Sequence, residues 1–303
     1  MTISRRRFLA ISAAALVGSR VIAAQIHRIG FRALGADCEI TLPGDAERAH
    51  AAVAEIQAAL GRIERSFSLW DARSELSRLN ETGILTNASP EFLHGWKMAM
   101  ELSRRTEGSF DVTVQPLWEA AANRTEITTP IGWHRVQMTR SSVGFRDPGM
   151  RATFNGLAQG IAADRAIAIL EAHGYVDALA NLGEYRVLGD HPDGRHWQIG
   201  VHDPINGGIA AILEPDPHRS AVATSEPRGT LIAGTPHIFD PLRRTGDRWA
   251  SVTVLAATAA WADGVSTAIA AAPMDHANDI LAGTGINDAV LIDRSGQVRH
   301  WRG

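Results

Sequence analysis

The sequence predicts an α+β fold. Some stretches space their apolar residues three and four apart, as helices do, and others carry short apolar runs bounded by turn residues, as strands do. The two kinds follow one another without the regular strand–helix–strand rhythm of a parallel sheet. No internal repeat occurs, and neither does a GxGxxG or GxxxxGKS phosphate loop.

Taken in order, "IHRIGFRALGADCEITL" reads as a strand, a glycine turn and a second strand. Val53, Ile56, Leu60, Ile63 and Phe67 then mark an amphipathic helix over 46–66. Ser89 caps, and Pro90 opens, a helix that should run to about Glu107 and stop at Gly108. Threonines, prolines and short hairpin-like pieces make 121–150 the candidate for a variable insertion. A helix over 157–173 ends at Gly174, and strand-like runs follow at 177–181, 196–202, 221–225 and 251–256. "WADGVSTAIAAAP", 261–273, is a helix of small apolar residues, and another lies near 275–282. "AVLIDRSGQVRHW" closes the chain as a hairpin around Ser295 and Gly296.

Composition narrows the function. The 303 residues are 45% hydrophobic and 21% charged, enough for one large domain, placed at 25–303. A net charge of -3 and 6% aromatic residues, with no basic run among them, argue against nucleic acid as a partner. The lone Cys38 excludes an internal disulfide and a cysteine-ligated zinc. Residues 1–24 combine a charged start containing Arg5 and Arg6, a short apolar middle and a small-residue end. That pattern is a signal peptide of twin-arginine type, too short to span a membrane, with a general secretory signal as the alternative. The mature chain is expected to begin near Gln25, to have no transmembrane segment and to work in the periplasm.

Several stretches carry polar groups that a packing role alone does not require. Asp263 and Thr267 lie four apart, so both project from one helix face. Two hard oxygens there suit Mg²⁺ or Ca²⁺. Equally, the aspartate could complement the helix dipole and the threonine could bond back to its own carbonyls. Gly156 and Gly160 flank the start of a helix, where bare backbone can approach a ligand or simply another element. Gly183 in "NLGEYRVLG" reads as a bulge or tight turn. "AVATSEP" ends an apolar strand in two hydroxyls, Thr224 and Ser225. His237 precedes Asp240 by three residues in "HIFDP", a candidate base and its orienting partner or else a solvated histidine beside a turn. Trp70 is either a core residue or a ring that stacks on a planar ligand.

Six segments, in order from about Ala33 to Ala270, resemble the FAD:protein FMN transferase (ApbE) family. They are "ALGADCEITL", "FSLWDARSELSRLN", "TEGSFDVTVQPLW" (family TGGAFDPTVGPL), "NGLAQGIAADR" (GGIAKGYAVDR), "HIFDP" (HIIDP) and "ADGVSTA" (ADALATA). The resemblance implies an ApbE-like, tunnelling-fold-like arrangement: mixed, largely antiparallel sheets flanked by helices, with a ligand cleft between two intimately packed subdomains. It implies Mg²⁺-dependent transfer of FMN from FAD to a threonine or serine hydroxyl of a target protein, releasing AMP. The acceptor would be a periplasmic or membrane-anchored respiratory flavoprotein. Asp263, Thr267 and the backbone carbonyl of Ala158 would hold the metal, with small residues such as Gly264 and Ala268 letting that second backbone close in. His237 would be the general base, with Asp240 in the catalytic pair. Trp70 would lie against the isoalloxazine, and Asp111, Val112, Gly156, Thr224 and Ser225 would line the flavin or adenosine parts.

The chain also departs from the family pattern. Thr153, Asn155 and Gln159 replace an aspartate, a glycine and a lysine; Glu184 stands where NxGGD has its second glycine; and "SEPR" replaces SGDY. Such departures, and a twin-arginine signal, resemble the branch linked to nitrous oxide reductase maturation. FAD hydrolysis to FMN and AMP, or a non-catalytic periplasmic flavin carrier or maturation chaperone, are the alternative functions.

Overall fold

Leu34 and Gly35 both take positive φ, 51° and 74°, as the two-residue turn of a β-hairpin requires. They join β1 (Ile26–Ala33) to β2 (Ala36–Pro43), and Glu64 Oε1 accepts the Leu34 N–H at 2.6 Å. The computed structural model describes residues 25–303, so the expected signal segment lies outside the described residues. α1 (Ala46–Phe67) begins at a capping Asp45 and buries Ile56, Leu60 and Ile63. α2 (Glu75–Thr82), which has no counterpart in the sequence reading, is capped by Ser74 and closed by Gly83 at φ 76°. After β3 (Ile84–Thr86) comes α3 (Pro90–Arg105), capped by Ser89 as expected but ending short of Glu107. Thr106 explains the early stop: its hydroxyl donates to the Leu102 carbonyl and accepts the Phe110 N–H, which draws the chain off the helix axis.

α4 (Gln115–Asn123), with proline in its first turn, is followed by β4 (Val136–Met138) and β5 (Ser142–Phe145). These strands join β3 in an antiparallel sheet of order β3-β5-β4, so part of the 121–150 segment is built into the fold. α5 (Ala158–Ala172) precedes β6 (Ala178–Asn181), β7 (Tyr185–Leu188), β8 (Ile199–His202) and β9 (Ile209–Leu213). Then follow β10 (Ala221–Ser225), β11 (Leu231–Ile232), β12 (Thr235–Pro236), β13 (Ser251–Ala256) and α6 (Ala259–Ala271). α7 (Ala277–Thr284), β14 (Asp288–Ile292) and β15 (Val298–Arg302) complete the chain.

The main sheet has eight strands in the order β1-β2-β6-β7-β10-β13-β14-β15, every neighbouring pair antiparallel. Side-chain alternation splits its central strands between two apolar layers. Ala221, Ala223, Val252 and Val254 face the core shared with the helices, while Val222 and Leu255 face the β8–β9 hairpin on the other side. The helix-side core runs without a break through α1, α3, α5 and α6 and on to Val143 of the small sheet. The two halves that flank the cleft described below are therefore packed as one body. Among the described residues no helix is long and apolar enough to cross a membrane.

Helices α5 and α6 touch backbone to backbone. A Cβ on Gly160 would stand 2.5 Å from the Ala259 carbonyl oxygen and 2.5 Å from the Ala260 Cα, both backbone. Each helix also supplies a carboxylate to the start of the other. Asp164 accepts the Ala259 and Ala260 N–H groups at 2.8 and 3.0 Å, and Asp263 accepts the Gly160 N–H at 3.2 Å. Arg186 of β7 pairs with Asp164 at 3.0 Å. Burial pushes the Asp164 carboxyl up, and the Ala260 and Ala259 N–H groups and Arg186 pull against that shift.

Gly160→Ala should lower stability by at least about 2 kcal/mol through this backbone overlap; calorimetry would show it as a fall of several degrees in Tm. Asp164→Ala should cost about 2–4 kcal/mol, because it strands two helix N–H groups and the half-buried Arg186 charge. A denaturant midpoint within error of the parent protein would contradict the crossed-cap assignment.

Candidate active site

Asp263, Thr267 and Ala271 recur at four-residue spacing along α6, and all three face one cleft enclosing about 820 Å³, part of it open to solvent. Its walls differ in chemistry. Phe110, Val112, Trp118, Ile238 and Phe239 make an apolar side, from the α3–α4 connection, α4 and the loop after β12. The rest of the lining includes the start of α5 (Asn155, Gly156, Gln159), the end of β10 (Thr224, Ser225), Glu184 and the α6 oxygens. Such a cleft accepts a flat apolar ring at one end and a charged, oxygen-rich group at the other.

Each polar side chain is held by local structure. Asp263 is 4% exposed and caps α5, whose own N-cap residue, Leu157, offers no side-chain cap. Gly156 sits against Thr267; a Cβ there would lie 2.8 Å from Thr267 Oγ1. Gly183, at φ 99°, lets the β6–β7 turn close, and in this turn Glu184 is buried with Oε2 accepting the Thr224 N–H at 3.0 Å. Gln159 packs on Gly183, where a Cβ would stand 2.5 Å from its Nε2. His237 Nδ1 lies 3.1 Å from the carbonyl oxygens of both Pro227 and Thr230. Two acceptors at Nδ1 put the hydrogen on that nitrogen and make Nε2 the basic one.

The structure changes the roles of several expected site residues. Asp240 lies off the cleft wall; its carboxylate accepts from Arg244 Nε at 3.0 Å, from Arg248 at 3.4 Å and from the Leu242 N–H at 3.1 Å. It therefore anchors the loop that carries His237, whose ring is oriented by carbonyls. Trp70 is 81% exposed, which rules out a core role and leaves the ring open to solvent outside the cleft wall. Asp111 lines the cleft, yet both its oxygens are engaged: Oδ1 by the Thr113 N–H and hydroxyl, Oδ2 by the Trp133 N–H at 2.6 Å. Burial pushes its carboxyl up against those lowering hydrogen bonds, and the result is a clamp between the two loops. Ala158 opens α5 between two cleft residues, Leu157 excepted, and its side chain packs toward the core. Gly264 does not admit a second backbone; it receives Leu102 of α3, whose Cδ1 would lie 2.3 Å from a Cβ there. Gly156 and Gly160 provide the close approach instead.

The sequence reading did not single out Phe110, Trp118, Ile238 or Phe239. Each is within or beside a quoted motif, but an apolar residue in a motif carries no local sign that it faces a cleft rather than the core.

The ApbE family profile matches residues 34–291. The FAD:protein FMN transferase of Klebsiella pneumoniae (strain 342) is 23% identical over 286 residues, covering 85% of this chain and 81% of that one. That of Haemophilus influenzae is 27% identical over 260 residues, covering 75% and 74%. Among solved structures, the flavin transferase ApbE from Vibrio cholerae superposes with TM-score 0.79 at 22% identity, over 92% of this chain and 97% of that one. The apo flavinyl transferase ApbE of Pseudomonas stutzeri gives 0.80 at 22% identity, over 94% and 96%. With the profile spanning most of its length and the fold shared, the chain belongs to the ApbE family.

Proposed function

We propose that this chain is a periplasmic, Mg²⁺-dependent FAD:protein FMN transferase. It moves FMN from FAD to a threonine or serine hydroxyl of a respiratory flavoprotein and releases AMP. The observation that carries the reading is the convergence of Asp263, Thr267 and His237 on one two-sided cleft, in a chain whose curated relatives bear that name. The signal pattern of residues 1–24 supports export by the twin-arginine route. It also supports the kinship with the nitrous oxide reductase-linked branch.

The residues present fit a hard cation: Asp263 and Thr267 bring a carboxylate and a hydroxyl to the cleft, Thr267 beside Gly156, and the Ala158 carbonyl would add a third oxygen. When bound, Mg²⁺ would neutralise charge on the FAD pyrophosphate. The rest of the chemistry falls to the chain. The apolar side of the cleft holds the flavin ring and excludes water, and the exposed Trp70 ring offers a second flat surface. His237 Nε2 takes the proton of the acceptor hydroxyl as its oxygen bonds to the FMN phosphorus. The bond from that phosphorus to the bridging oxygen breaks, and AMP leaves with the oxygen.

The purified protein, mixed with FAD, Mg²⁺ and candidate respiratory flavoproteins, should produce a fluorescent target band on a denaturing gel. AMP release without any acceptor would instead favour hydrolysis. Asp263→Ala should abolish transfer, and wild-type labelling by that variant would sink the metal assignment. His237→Ala should lower kcat roughly 10²–10⁴-fold. Gly156→Ala should weaken FAD binding in the presence of Mg²⁺ by about tenfold or more, yet shift Tm far less than Gly160→Ala, because its added methyl meets a side chain at the cleft rather than buried backbone.

A further inference from the structure

We propose that Ser266 and Ser225 form a hydroxyl relay that turns the lone pairs of Thr267 Oγ1 toward the cleft and so sets the cation affinity of the site. The proposal rests on the reading of Asp263 and Thr267 as the Mg²⁺ donors.

Hydrogen counting gives the direction of the relay. Each hydroxyl has one hydrogen to donate. Ser266 Oγ donates to the Asp263 carbonyl oxygen at 3.0 Å, since a carbonyl only accepts. The 2.9 Å contact between Ser225 and Ser266 Oγ must then use the hydrogen of Ser225. The remaining contact, 3.3 Å between Ser225 Oγ and Thr267 Oγ1, must use the hydrogen of Thr267. The order is Thr267 to Ser225 to Ser266 to the Asp263 carbonyl. Ser266 is fully buried and Ser225 nearly so, so water does not compete within the chain of bonds.

The consequence concerns how a helical threonine normally behaves. Its hydroxyl tends to bond back to the carbonyl four residues earlier, which for Thr267 is Asp263. Ser266 already occupies that carbonyl. Thr267 is left to give its hydrogen sideways to β10, and its lone pairs face the space beside the bare Gly156. A hydroxyl whose hydrogen is committed elsewhere is an acceptor only, the state a cation needs. Ser266 stands where the ADALATA motif has alanine, so the relay is a property of this sequence.

The test is a titration of the FAD-saturated mature protein with Mn²⁺, followed by electron paramagnetic resonance and checked by Mg²⁺ competition. Ser266→Ala and Ser225→Ala should each weaken Mn²⁺ binding about tenfold. The double variant should be no weaker than either single one, because one break interrupts the whole relay. Unchanged Mn²⁺ affinity in both single variants would overturn the relay. So would losses that multiply in the double variant, since independent packing defects behave that way. Asp263→Ala separates the two levels: lost Mn²⁺ binding there upholds the site, whereas wild-type Mn²⁺ binding by Asp263→Ala would remove the site and the relay together. If Ser266→Ala lowers Tm by several degrees, Ser225→Ala carries the same comparison from the strand side.

Discussion

Backbone contact between α5 and α6 at Gly160 is the constraint on which the rest of the site depends. Helices whose backbones touch cannot shift by a fraction of a turn without a clash, so their relative position is set by hard-core repulsion as well as by burial. The crossed carboxylates then use that proximity. Helix α5 has no side-chain cap of its own, and the carboxylate that serves its first turn comes from α6. Helix α6 has Thr258 for the Trp261 N–H and borrows Asp164 for Ala259 and Ala260. The buried Asp263 and the half-buried Asp164 are each satisfied by orphan N–H groups that would otherwise need water.

This arrangement merges two readings of Asp263 that look exclusive in the sequence. A carboxylate near a helix start usually complements the dipole of its own helix. Here Oδ2 serves the start of a different helix, and the same residue lines the cleft. A carboxylate has two oxygens and several lone pairs, so capping and ligand binding do not compete for it. Capping by Oδ2 restricts the side-chain rotamer, and a restricted donor loses less entropy when a ligand arrives. The structural role is therefore part of how the functional one is prepared.

The start of α3 at Ser89 and Pro90, the paired first strands and the strands at 221–225 and 251–256 were legible because their cues are local: a cap, a proline, a run of alternating or small residues. Asp263, Thr267 and His237 stood out in the sequence by residue type and spacing, and all three line the cleft. The partners of those residues were not legible. Asp240 and His237 sit three apart in "HIFDP", yet the Asp240 carboxylate is taken up by Arg244 and Arg248 from farther along the loop. Gly264 and Gly160 look alike in sequence, but one accepts a leucine side chain and the other a helix backbone. Residue type left Trp70 open between the core and a planar ligand, and only its place in the α1–α2 connection shows that the ring is exposed. Periodicity reports which face of an element is apolar; it does not report which neighbour meets that face.

The departures from the family pattern act together once they are placed in the fold. Gln159 and Glu184 come from different elements, yet Gln159 rests on Gly183, the residue before Glu184. Where the family pattern has a lysine and a glycine, Gln159 and Glu184 give a neutral amide and a carboxylate, while Thr153 removes an aspartate, so the three changes lower the formal charge of the lining by one. A carboxylate buried against the Thr224 N–H repels an anion and attracts donors such as hydroxyls or amines. The residues that line the cleft include no lysine or arginine to meet the phosphate charge of a dinucleotide. A site without a positive side chain would depend more heavily on any cation it holds. That dependence would give physical weight to the hydroxyls that aim Thr267, since they set how well its oxygen could serve such an ion.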